Sequence, residues 1–211
     1  MDNGTVLELA SLPQRHPIGD MFLRRHGPDL IVRLSIDPVS LPPGTTTCDI
    51  RVDRQSRMSK GQSTQHLCVI GWNDLADCSR EFCLHTHEGV PERDATEGAA
   101  IVVMALLIHE LEGATVLKAI DIGDGGDYLI QFGDATDQSL VEVSGVRKDV
   151  TGVRSRSRLV EKKDQVLSKS PTSYASVTTF SHSKAQTPHS YLHFVEKERK
   201  KPTGRKRGKR K

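Results

Sequence analysis

Asp94-Ala95-Thr96-Glu97, running into Gly98-Ala99-Ala100-Ile101-Val102-Val103-Met104-Ala105-Leu106-Leu107-Ile108, is the stretch on which the fold turns. An acidic acceptor three residues ahead of a glutamate is the pattern of a capping box, and an apolar run follows at once. The run is apolar on nearly every side. It predicts a helix packed between other elements rather than one laid on a surface. Gly113 supplies a stop.

Downstream, three short strands are predicted at Thr115–Ile122, Tyr128–Phe132 and Leu140–Val143, with Gly- and Asp-rich turns between them. Val153–Ser168 is polar, with sparse apolar positions at Val160, Val166 and Leu167, and reads as an amphipathic helix. Pro171 follows it, and Tyr174–Phe180 is the clearest strand. Helix, three strands, helix, strand implies an α/β (α+β) unit, a mixed sheet with helices on both faces. Beyond His182 only Tyr191–Val195 suggests further order.

Upstream, residues 1–45 are punctuated by Pro13, Pro17, Pro28, Pro38 and Pro42-Pro43-Gly44. Asp29–Ile36 has the β-branched content of a strand. Thr47–Val52 and His66–Trp72 are two more, joined by the Ser/Arg/Gln-rich loop Arg54–Thr64. The chain divides into a β-rich N-terminal region (1–90), an α/β core (91–195) and a basic tail (196–211).

In a chain of 211 residues, 36% hydrophobic and 4% aromatic content supports a core over part of the length. No apolar run is long enough to cross a bilayer, and the early acidic residues without a positive start and apolar stretch lead us not to expect a secretory signal. A cytoplasmic protein without a membrane partner is expected. From Glu196 to Lys211 ten Lys/Arg stand against two Glu, a balance of +8, which leaves −5 for residues 1–195 within a total of +3. The tail reads as disordered when alone, and as a clamp on nucleic-acid phosphates through Lys200, Arg205, Lys206 and Arg207. Arg147, Lys148, Arg154, Arg156 and Arg158 add positive charge between the third strand and the second helix.

Three carboxylates stand out in this order. Glu97 opens the first helix, Asp127 begins the second strand, and Glu142 is flanked by valines on the third. A carboxylate on a short buried strand is costly unless paired or bound to a cation. Asp127 and Glu142 on one face could share a hard divalent ion, Mg²⁺ or Mn²⁺, able to activate water at a phosphodiester.

Element order and residues together resemble the PD-(D/E)XK nuclease superfamily, over about Asp94–Phe180. The resemblance implies a restriction-endonuclease-like αβββαβ core and a metal-dependent nuclease acting on DNA. Asp127 matches the second-strand aspartate, Glu142 the third-strand acid, and Glu97 the acid often found on the first helix. The family usually has lysine two positions after the third-strand acid, where this chain has Ser144. Some members carry it on the following helix, where Lys162, Lys163 and Gln165 lie. The implied catalytic set is therefore Asp127, Glu142, Lys162 and Glu97. Ser144 keeps open a second reading, a non-catalytic module that binds nucleic acid or docks in a larger protein complex.

Other constellations point elsewhere less well. Cys78-x4-Cys83-x-His85-x-His87, with Cys68 and His66 upstream, fits no standard zinc spacing, and Cys48, Cys68, Cys78 and Cys83 read as buried free thiols. Gly123–Gly126 lacks the Lys-Ser/Thr of a phosphate-binding loop and reads as the turn that delivers Asp127. No Gly-x-Ser-x-Gly elbow occurs.

Overall fold

The computed structural model describes residues 4–36, 45–59, 61–73, 92–120, 127–133, 136–147, 149, 151–180 and 187–197. In chain order these residues form β1 (Thr5–Glu8), a 3-10 turn (Leu9–Ser11), α1 (Leu12–Arg15), α2 (Gly19–Ile36), β2 (Thr47–Gln55) and β3 (Thr64–Gly71). Then come α3 (Glu92–Glu112), β4 (Ala114–Ala119), β5 (Tyr128–Phe132), β6 (Gln138–Val146), α4 (Val153–Lys169), β7 (Thr172–Thr179) and β8 (His189–Glu196). Among the described residues no helix is long and apolar enough to cross a membrane.

All eight strands join one mixed sheet in the order β1-β3-β2-β8-β7-β6-β5-β4. Strands β4, β5 and β6 pair antiparallel, β6 and β7 are parallel, and β7 and β8 are antiparallel. Parallel neighbours need a crossover, and α4 provides it between β6 and β7. The strands of the first half extend this sheet, because β2 pairs with β8.

Helix α3 carries the core. Ala99, Val102, Val103, Met104, Leu106 and Leu107 are all fully buried, which no surface helix allows. The reason is its position: α2 packs on one side of it and the sheet on the other. Fully burying one such side chain is worth about 1.5–3 kcal/mol. Gly113 ends the helix at φ +67, and its N–H reaches the His109 carbonyl. Helix α4 covers the opposite face, over β6, β7 and β8, with Val146, Leu159, Ala175, Val177 and Tyr191 as a smaller core.

Two expectations are corrected. Asp29–Ile36 is not a strand but the C-terminal half of α2. Leu30, Ile31 and Leu34 are buried together with Phe22, a spacing that suits a helix face and defeats strand alternation. Pro28 lies inside this helix at the loss of one backbone hydrogen bond, which the burial against α3 outweighs. Secondly, α3 has begun by Glu92, so Asp94 lies in its first turn and Glu97 is no capping-box partner. Tyr191–Val195 proves to be the middle of a full strand, β8, inserted between β7 and β2.

Candidate functional site

Alternation along β6 decides the site. Val141 and Val143 enter the main core on the α3 side, while Glu142, Ser144 and Val146 face α4. Glu142 is 5% exposed. A buried carboxylate needs a cation, and α4 brings one: Lys162 Nζ donates to Glu142 Oε2 at 2.7 Å. One turn earlier on the same helix, Arg158 Nε donates to Ser144 Oγ at 2.9 Å. The match is geometric. Four helical residues rise about 6 Å and two strand residues about 6.6 Å, and the crossover runs α4 opposite to β6, so 158 and 162 meet 144 and 142 in that order.

Asp127 stands immediately before β5. Its N–H donates to the Val141 carbonyl at 3.0 Å, and its Oδ2 accepts the Val143 N–H at 2.6 Å. The carboxylate thus takes over a backbone acceptor's place on β6 and is held there. Burial pushes its pKa above the ordinary carboxylate value. The Val143 hydrogen bond and the Lys162 charge oppose that rise, while the Glu142 and Glu97 charges add to it. Asp127, Glu142, Lys162 and Glu97 therefore share one electrostatic neighbourhood, although 65 positions separate Glu97 from Lys162.

Glu97 projects from the second turn of α3 and is exposed. It lines a pocket of about 450 Å³ with Arg93, Ser144, Gly145, Arg154 and Arg158; Glu92, Thr96, Val146 and Arg147 complete the lining. The floor is tight. A methyl group at Gly145 would run into the Thr96 carbonyl oxygen, so only glycine lets α3 settle this closely on β6. Arg147, at the end of β6, is ion-paired to Glu92 at the start of α3. Asp149 organises the start of α4: its Oδ2 accepts from the Ser155 N–H at 2.6 Å and from the Ser155 hydroxyl.

Among the described residues no three Asp, Glu, His or Cys side chains gather closely enough to hold a metal ion. Glu97 thus does not close a three-acid cage with Asp127 and Glu142. Those two offer hard oxygen donors, one oxygen of each already engaged by the protein, a set that suits an ion retaining several waters. Lys163 feels the charge of Asp53, and Gln165 bonds Glu161 on the outer face of α4. Arg156 also leaves the pocket: its Nε donates to the Gly152 carbonyl, and its charge acts on Tyr191 and His189. Lys148, Lys200, Arg205, Lys206 and Arg207 lie outside the described residues, as do Gly123–Gly126, Cys78, Cys83, His85 and His87. Cys48 and Cys68 are free thiols, and burial pushes both up to about 11.

Sequence reasoning missed Arg93, though its place one turn before Glu97 was a usable signal. It also missed a second pair on the α4 face, Asp53 Oδ1 with His193 Nε2 at 2.9 Å. These residues stand 140 positions apart, so no local pattern announces them. No family model, curated protein or solved structure matches the chain.

Proposed function

We propose that this chain is a metal-dependent nuclease, or a nuclease-fold subunit, with a PD-(D/E)XK-type core that hydrolyses phosphodiester bonds in DNA. One observation carries the reading: the buried Lys162–Glu142 pair at 2.7 Å, in the electrostatic neighbourhood of Asp127. It answers the departure at Ser144, because α4 sends an ammonium to the strand carboxylate from above. The helix, three strands, helix, strand order and the consecutive β4-β5-β6-β7-β8 pairing support the same core.

Asp127 and Glu142 would hold Mg²⁺ or Mn²⁺, which when bound supplies charge neutralisation at the phosphodiester and a water of lowered pKa. Lys162 fixes the Glu142 carboxylate and keeps a positive charge where a phosphorane-like transition state gathers negative charge. Arg154 and Arg158 draw the phosphate backbone toward the site, with the basic tail as a further clamp. Asp127 must be ionised to ligate a cation, so its raised pKa ties the activity to pH.

A second reading, a non-catalytic module that binds nucleic acid or docks in a protein complex, is favoured by the absence of a three-acid metal cluster among the described residues. Incubating the full chain with DNA and Mg²⁺ or Mn²⁺ separates the two. Cleavage lost in Asp127→Ala and Glu142→Ala supports the enzyme. Salt-sensitive binding without cleavage in either metal overturns it in favour of the module.

A further inference from the structure

We propose that the cavity at the C-terminal end of α3 binds an unpaired nucleobase, guanine best, with Arg57 as the surface on which the base stacks and Glu196 as the group that reads its edge. The strand carrying the base is the DNA of the reading above, on which this identity rests; the stacking itself does not depend on cleavage.

The cavity measures about 660 Å³, within the size range of small-molecule sites. Its walls come from elements far apart in sequence. Glu112 is the last residue of α3, Phe132 the last of β5, Phe194 and Glu196 close β8, and Arg57 and Met58 stand in the loop after β2.

Charge narrows the ligand first. Arg54 Nε donates to Glu112 Oε1 at 2.6 Å, and the Tyr174 hydroxyl donates to Glu112 Oε2 at 2.6 Å. Arg57 Nη1 donates to Asp137 Oδ2 at 2.7 Å. Both arginines of the lining are thus engaged by carboxylates of the same lining, while no described residue bonds or pairs with the Glu196 carboxylate. One negative charge is left over, and the C-terminal end of α3 adds to its sign. That disfavours a phosphate or a carboxylate. A simple cation suits the sign but meets the Arg57 charge on the aromatic wall it needs: Cζ lies 4.5 Å from the centre of the Phe132 ring and 5.9 Å from that of Phe194. A flat, uncharged ring with N–H donors on its edge meets neither objection.

The platform for such a ring is built. Arg57 lies over Phe132 and is held sideways by Asp137; Tyr174 backs Phe132 at 5.9 Å and Phe194 at 5.4 Å. The Arg57 side chain keeps 34% of its surface exposed, so the guanidinium is not closed over from outside. Guanidinium planes and aromatic rings are the surfaces on which unstacked bases are held. Met58 stands 89% exposed at the rim, a flexible and polarizable side chain free to close on a bound ring. The two oxygens of Glu196 match a base with two adjacent donors. Guanine has them in its N1–H and N2–H groups, whereas thymine offers N3–H alone. In a duplex those donors are already paired, so the base must be unpaired. Phe132 lies five residues along the chain from Asp127, about 17 Å on an extended strand. The base site is therefore separate from the carboxylates, and altering it leaves them untouched.

The test uses the full chain in chelator, where no metal-dependent cleavage intervenes. Fluorescence anisotropy compares a labelled thymine-only DNA strand with one in which some thymines are replaced by guanine, each also annealed to its complement. The guanine strand is expected to bind about 10-fold more tightly than the thymine strand, within the discrimination of a two-bond contact to a base edge. The two duplexes should show no such preference. Glu196→Gln should remove most of the preference and leave the thymine strand binding as before. Arg57→Lys keeps a charge beside Asp137 but not the plane, so it should weaken both single strands by about 5-fold or more. Circular dichroism checks that both variants fold. Equal affinity for the two single strands overturns the proposal, as does no binding of either. So does a preference that survives Glu196→Gln, or an Arg57→Lys variant that binds as tightly as the original chain. The two readings fail separately. A guanine preference without cleavage in Mg²⁺ leaves the base site standing and sinks the nuclease, whereas cleavage without any guanine preference sinks the base site alone.

Discussion

Replacing Lys162 by Met removes one half of a buried ion pair and leaves the other half stranded. Lys162 and Glu142 side chains are only 10% and 7% exposed, with Nζ and Oε2 2.7 Å apart. Breaking such a pair from one side costs about 3–5 kcal/mol, because the remaining charge keeps its desolvation penalty and loses its partner. In a chain of this length that lowers the melting temperature by roughly 10 °C. Adding Glu142→Leu should return most of the stability, because two apolar groups fill the volume without a buried charge. Cleavage should be absent in both variants. Urea unfolding followed by circular dichroism, with a cleavage assay on the same samples, reads all of this. A loss below about 1 kcal/mol in Lys162→Met, the size of a surface pair, would refute the buried-pair reasoning. So would a double variant no more stable than the single one.

Three further outcomes follow from particular contacts. His16 is buried, with Nε2 at the Ala105 carbonyl and Nδ1 accepting the Val116 N–H, and burial lowers its pKa from 6.5 to about 4. The unfolded chain then binds the extra proton between those values, so stability is complete above about pH 6.5 and falls by up to about 3 kcal/mol toward pH 4. His16→Gln should flatten that slope in unfolding titrations, and an unchanged slope would remove His16 as its source. Gly145→Ala should push α3 off β6 and cost about 1–3 kcal/mol by overpacking; unchanged stability would show that the Thr96 contact yields easily. Because the Glu97 charge helps raise the Asp127 pKa, Glu97→Gln should move the acid limb of the cleavage profile to lower pH, and a limb that stays put would detach Glu97 from the site.

The second half of the fold was legible because its signals are local. The apolar run of α3, the glycine stop at Gly113 and the alternating strands β5 and β6 each announce themselves within a dozen residues. The site was legible for a related reason, since a glutamate between two valines on a short strand already demands a cation. The sequence reading offered a divalent ion, and either Lys162 or Lys163 in place of the strand lysine that Ser144 displaces. Only the crossover geometry, which sets α4 antiparallel to β6, turns Lys162 toward Glu142, while Lys163 feels the charge of Asp53. The first half misled where tertiary burial overrode propensity. Leu30, Ile31 and Leu34 form a helix because α3 gives them a surface to pack on, and that surface comes some 70 residues later. Strand β8 was underread for the same reason, as its partners β2 and β7 flank it only in space. The arginine pocket needed three separate segments to converge, and only Arg147, Arg154 and Arg158 were marked by their charge.

Metal-dependent cleavage of DNA is the most direct test of the central claim, measured for the full chain and for Glu142→Gln across a range of Mg²⁺ concentration. The expected result is cleavage that rises with Mg²⁺ or Mn²⁺, stops in chelator, and falls by about 100-fold or more in Glu142→Gln, the scale of removing a group that holds a catalytic ion. No cleavage in either metal, or a Glu142→Gln variant that cuts as fast as the original chain, would contradict it.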